Sequence, residues 1–164
     1  MAVVRLQNEF EVVQLLDEQH NAILHTFHVD HYVYGVWYIP LSAGFFAHQN
    51  MVEMELGRGL PEGCYEIKFA LRRDFDDGAP DYTLPKSWPD LGTLSFKQAM
   101  GVGEGLLQSQ WLLRRTRDVR GFVAVALEDR PKLGPYYGRM LRKYQPQLGY
   151  NVHPVLEGSG YAIF

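Results

Sequence analysis

The chain has 164 residues, 46% hydrophobic and 21% charged, which suits one domain with ample apolar surface to offset the ordering entropy that leaves polar chains disordered. Sixteen Lys and Arg against 19 Asp and Glu give a formal charge of −3, which argues against a dedicated nucleic-acid binder, since neutralising phosphates takes a cationic surplus. No stretch has the length or apolarity of a membrane span, residues 1–10 lack a signal peptide's basic start and apolar core, and the single Cys64 excludes an internal disulfide or multi-thiolate zinc site; a soluble, cytoplasmic domain is expected.

Val3 to Leu6 reads as a first strand. Asn8 stands three residues before Glu11, the spacing of a capping box. Phe10, Val13 and Leu16, then Ile23, Leu24 and Phe27, recur at helical spacing, predicting one or two helices between Glu9 and His28. Tyr32 to Ile39, dense in aromatic and β-branched residues, predicts a strand ending at Pro40. After a turn at Ser42-Ala43-Gly44, Phe45 to Leu56 reads as a returning strand, and residues 57–63 are a break. Tyr65 to Leu71 alternates apolar and polar, the clearest antiparallel strand in the chain.

Asp74 to Asp90 carries acids, prolines and a glycine without period, as binding loops do. A short strand is expected at Thr93 to Lys97. A glycine run at residues 101–105 then leads into a helix from Leu106 to Arg117, whose last turn holds Arg114, Arg115 and Arg117, complementing the helix dipole. Val119 to Leu127 reads as a strand covered on both faces, Leu133 to Tyr144 as a helix, and Leu148 to Leu156 and Tyr161 to Phe164 as closing strands. The fold class is α+β, or mixed α/β, in one domain over residues 1–164: leading helices and a meander over 1–73, a long loop over 74–92, and a strand–helix half over 93–164.

The segment with most chemical content is Gln98-Ala99-Met100-Gly101-Val102-Gly103-Glu104-Gly105. Glycines before a helix let backbone approach a ligand, and the first amides of a helix are unpaired donors at its positive end, suited to a pyrophosphate. The dinucleotide fingerprint fails because position 106 is Leu, and the P-loop pattern fails as well. Gln98, Gly101 and Gly103 do satisfy Q/R-x-x-G-x-G/A. That pattern resembles the acetyl-coenzyme A loop of the GNAT superfamily of N-acetyltransferases. The order that follows it, helix, apolar strand, aromatic-rich helix and the pair Gly149-Tyr150, is similar to that family over roughly the last 70 residues. The resemblance implies a mostly antiparallel mixed sheet with helices on both faces, with acetyl-coenzyme A as co-substrate. Gln98, Gly101, Val102, Gly103, Glu104 and Gly105 would frame its pyrophosphate.

Such a reaction needs an acid for the departing thiolate and a base for the amine. Tyr suits the acid role because its pKa lies nearer that of a thiol than a carboxylic acid's does; Tyr144 is the first candidate and Tyr137 the second. Glu66 is the leading base candidate, with Glu53 and Glu55 behind it. His25, His28, Asp30 and His31 combine metal-ligand types, but their spacing fits no closed zinc motif, and no metal is assigned. Cys64 lacks a histidine near in sequence to activate it. Arg114, Arg115, Arg117 and Arg120 could meet phosphates, or end a solvated helix. The aromatic cluster from Tyr32 to Phe46 reads as core.

Taken together, these residues predict an acyl-coenzyme A-dependent N-acyltransferase acting on an amine, small or protein-borne, with no membrane partner. The alternative is a non-catalytic structural or interaction protein on the same fold, such as a phage virion component. A last strand reaching Phe164 would be placed to pair with a second copy or an assembly.

Overall fold

The computed structural model describes residues 2–73, 92–125, 138–143, 146 and 149–164. Its framework is an eight-stranded sheet: β1 (Val4–Leu6), β2 (Glu11–Gln14), β3 (Asn21–Val29), β4 (Tyr32–Pro40), β5 (Cys64–Leu71), β6 (Gly121–Val125), β7 (Val152–Val155) and β8 (Gly160–Ile163). The order is β1-β3-β4-β5-β6-β8-β7, with β2 also pairing β3. Every pairing is antiparallel except β5 with β6. Helix α1 (Gln49–Leu56) and helix α2 (Phe96–Thr116) complete the main elements, and residues 138–143 are helical. The class is α+β with a mixed sheet, and no helix among the described residues is long and apolar enough to cross a membrane.

The helices expected between Glu9 and His28 are instead a β-hairpin. β3 is buried on both faces over most of its length, so its apolar run loses the alternation that marks a strand, and Ile23, Leu24 and Phe27 mimic helical spacing. The turn between β2 and β3 is built on Asp17, whose carboxylate accepts from the amides of Gln19 and His20 at 3.0 Å each. Glu18 takes a positive φ of 60° there. Glu11 lies in β2, and its carboxylate pairs with Arg72 at 2.7 Å rather than capping a helix.

Residues 45–56, expected as a strand, contain α1. It ends at Gly57, whose φ of 69° is the left-handed conformation that suits glycine after a helix. In place of the strand expected at Thr93 to Lys97, the chain is irregular up to the N-cap Ser95 and enters α2 at Phe96. Ser95 accepts from the Gln98 amide at 3.1 Å and Gln98 Oε1 accepts from the Ser95 amide at 2.9 Å, a complete capping box. The helix therefore begins ten residues before Leu106 and runs for 21 residues. The expected long loop at 74–90 lies outside the described residues, as does most of the expected helix at 133–144.

Alternate residues of each strand feed two cores. On one face Phe27, Tyr34, Val36, Tyr38, Ile67 and Phe122 meet Val102, Leu106 and Leu113 of α2. On the other, Cys64, Val123 and Ala162 meet Val52 of α1. β8 is flanked by β6 and β7, so the terminal strand is enclosed on both edges rather than open to a second copy. The outer strand is β7, and its Pro154 removes a ladder donor there.

Helix α2 runs against β3 with a specific fit. A Cβ on Gly101 would stand 2.8 Å from Val29 Cγ1, and one on Gly105 would enter the Phe27 ring. Four helical residues rise about 6 Å and two strand residues about 6.7 Å. Gly101, Gly105 and Ser109 therefore meet Val29, Phe27 and His25 in step. Helix-interior glycine is disfavoured by about 1 kcal/mol against Ala, so its presence here is set by the strand it must approach. Gly105→Ala is expected to lower stability by about 1 kcal/mol, overpacking outweighing the gain in helix propensity. Urea unfolding measures it; a rise in stability would show that no close seat exists.

Candidate functional site

The residues expected to cradle a pyrophosphate do not present free amides. Residues 101–105 lie in the second and third turns of α2, where backbone N–H groups are taken by the helix's own carbonyls. Gly101, Val102, Gly103 and Gly105 are buried, and the glycines at 101 and 105 serve the contact with β3. Gln98 is likewise committed: besides the capping box, its Nε2 donates to Asp30 Oδ2 at 3.1 Å. Asp30 Oδ1 accepts from the Val3 amide at 2.8 Å, and these two donors, Val3 first, hold the Asp30 carboxyl below the usual range. Glu104 bonds Gln108 one turn on, 3.0 Å away. The pyrophosphate cradle expected on these six residues is thus replaced by a capped, internally bonded helix.

The acid–base candidates separate. Glu66 is on β5 but shares the face of Cys64 and Val123, opposite Ile67 and α2, because neighbouring strand residues point to opposite sides. Glu53 and Glu55 hold backbone: Glu53 Oε2 accepts from the Leu60 amide at 3.1 Å, and the Glu55 carboxylate from the Leu156 amide at 2.9 Å. Tyr137 and Tyr144 lie outside the described residues. Cys64 is buried, and desolvation pushes its thiol up to about 11, away from nucleophilic thiolate. Three of the four arginines at and just after the end of α2 are engaged locally: Arg114 stacks over Tyr150 at 3.8 Å, Arg115 over Trp111 at 4.6 Å, and Arg120 sits 3.4 Å from Asp118. Tyr150, of the Gly-aromatic pair, donates to the Val119 carbonyl at 3.0 Å.

The histidines do not gather around a metal. His25 and His28 are three apart on a strand, hence on opposite faces, and the His31 ring lies tilted against Tyr32, centroids 4.0 Å apart. Among the described residues no three His, Cys, Asp or Glu groups could hold an ion. His25 instead anchors a buried relay. Its Nε2 is 2.7 Å from the Gln7 carbonyl, which can only accept, so Nε2 carries the proton. Nδ1 then accepts from Ser109 Oγ at 2.7 Å, and Ser109 Oγ accepts from the Tyr38 hydroxyl at 2.6 Å. Burial raises the Tyr38 pKa, keeping it a donor. His25, Ser109 and Tyr38 are all inaccessible, so this Ser–His pair reaches no substrate; it satisfies polar groups under α2.

The feature that sequence reasoning missed lies where the parallel pair parts. The β5–β6 ladder covers Cys64↔Gly121, Tyr65↔Phe122 and Glu66↔Val123, while β5 continues to Leu71 and β6 to Val125. Past that point Ile67 and Ala124 border a slot roofed by Gly103, Leu107 and Gln110 of α2 and closed by Met140. Its volume is about 30 Å³, room for one or two waters. Gln110 is 5% exposed, and its Oε1 has no hydrogen-bond partner among the described residues. The one sequence signal was a polar residue on the apolar line Leu106, Gln110, Leu113. Of the residues expected to bind cofactor, Gly103 lines this slot. Compared with protein-family models, curated proteins and solved structures, the chain matches none.

The relay makes folding sensitive to acid. Desolvation, opposed by the Gln7 hydrogen bond, lowers the His25 pKa in the folded state. Above about pH 6.5 the imidazole is neutral in both states; below it the unfolded chain takes a proton that the folded chain resists. Stability contributed here is full above about pH 6.5 and falls as pH drops toward the folded-state pKa. Thermal unfolding should show Tm decreasing between about pH 7.5 and about pH 5.5, with Ser109→Ala lowering stability by about 1–3 kcal/mol through the two partners it orphans. A Tm that rises on acidification would contradict the proton order given.

Proposed function

We propose that the protein binds an acyl-coenzyme A, the co-substrate implied by its C-terminal pattern, through the thioester arm in the slot between β5 and β6. The observation that carries this reading is the buried, unpartnered acceptor Gln110 Oε1 beside a parallel pair that separates after Glu66 and Val123. A thin arm bearing amide N–H groups offers the donor that Gln110 lacks. The sheet order, with one parallel pair between an antiparallel meander and a closing hairpin, is in keeping with the acyltransferase plan expected from the sequence. Entry of the arm requires the slot to widen, since about 30 Å³ holds waters only. In this reading the phosphates lie away from residues 101–105, and transfer of the acyl group to an amine follows from thioester binding.

A second reading, a non-catalytic structural or interaction domain on the same plan, is favoured by the burial of the glycines against Val29 and Phe27, which explains the glycine run with no ligand. Calorimetry of the folded full chain with acetyl-coenzyme A separates the two. Binding is expected with Kd below about 1 mM, weakened about tenfold in Gln110→Leu by loss of one hydrogen bond. The same variant is expected to gain stability by about 1 kcal/mol, because an unsatisfied buried acceptor is removed. No heat with millimolar ligand overturns the coenzyme reading and leaves the scaffold one.

A further inference from the structure

The helical segment 138–143 lies against the β7–β8 hairpin, and between them is an open cleft of about 340 Å³, within the size range of small-molecule sites. Its apolar surface comes from Leu141, Val152, Pro154 and the ring of Tyr161. Gly138 allows this shape: a Cβ there would collide with the Tyr161 hydroxyl oxygen. Arg139 and Arg142, one helical turn apart, stand at the cleft. Both are exposed, and among the described residues neither has an ion-pair or hydrogen-bond partner. Among the described residues no acidic side chain lines the cleft. By contrast, Arg72 is occupied by Glu11 and Arg114 by the ring of Tyr150.

We propose that this cleft is a binding site for a small organic anion, with the apolar body against Val152, Pro154 and Tyr161 and a carboxylate or phosphate held between Arg139 and Arg142. Two guanidiniums with no carboxylate beside them among the described residues offer paired donors in the planar geometry that such oxyanions accept. The apolar wall adds what a free inorganic ion would not use. Leu141 lines both this cleft and the slot, but the proposal does not depend on coenzyme binding, because Arg139, Arg142, Val152, Pro154 and Tyr161 are not among the residues that line the slot.

The test is an amide NMR titration of the full chain with benzoate and with phenyl phosphate, and with benzamide as the neutral isostere. Saturable shifts are expected at Gly138, Arg139, Leu141, Val152 and Tyr161 for the two anions, with benzamide about tenfold weaker. The double variant Arg139→Gln/Arg142→Gln, at exposed positions, should keep the wild-type spectrum elsewhere and bind benzoate about tenfold less tightly. The proposal is overturned if the anions give no saturable shifts at these residues. Benzamide binding equally well, or the double variant binding undiminished, would overturn it too.

Discussion

At residues 101, 105 and 109, helix α2 turns two glycines and a serine toward Val29, Phe27 and His25. Side chains of ordinary size at 101 and 105 would hold the helix off the sheet, by the space Val29 and the Phe27 ring already fill. The close approach places Ser109 Oγ between His25 and Tyr38, which lets the polar atoms of these three side chains be buried under the helix with partners. It also sets the helix's height over the sheet, so that Val102, Leu106 and Leu113 reach the strands. The capping box at Ser95 and the Gln98–Asp30 bond pin the start of the helix to the β3–β4 turn. Position along the strand and distance from it are thus fixed by different residues.

This arrangement has a functional consequence. A helix seated so closely on β3 has its early amides bonded internally, so the glycine run cannot also be an open anion cradle. What the seat supplies instead is a roof over the point where β5 and β6 part, and Gln110 is carried into that roof one residue after Ser109. Among the described residues, the slot with its buried amide and the arginine-edged cleft are the places this arrangement leaves for a ligand.

The strands read most easily from sequence were those with clear alternation or aromatic density, β4 and β5, and the closing β7–β8 pair. β3 was hidden because both its faces are buried, which erases period 2 and leaves spacings that a helix also satisfies. α1 was hidden because a short helix with Met51 and Met54 exposed offers no clean apolar stripe, although Gly57 was its visible stop. In α2, Ser95 and Gln98 carried a capping box in plain view, but the glycines drew attention as ligand-binding residues. Only tertiary contact with Val29 and Phe27 reveals them as spacers. The parallel β5–β6 pair, and with it the slot, depends on strands 50 residues and more apart, beyond what local pattern can state. Gln110 belongs to no motif; its significance comes from burial without a partner.

Amide hydrogen exchange across residues 98–110 tests the central claim most directly. If α2 is continuous and seated on β3, the amides of Gly101 to Gly105 exchange slowly, through openings close in free energy to global unfolding, like those of Leu106 and Leu107. Exchange at 101–105 as fast as at an exposed loop, with 106–113 protected, would mean that the helix starts after the glycines. The seat on β3 would then be wrong, and free amides would again face outward from the glycine run.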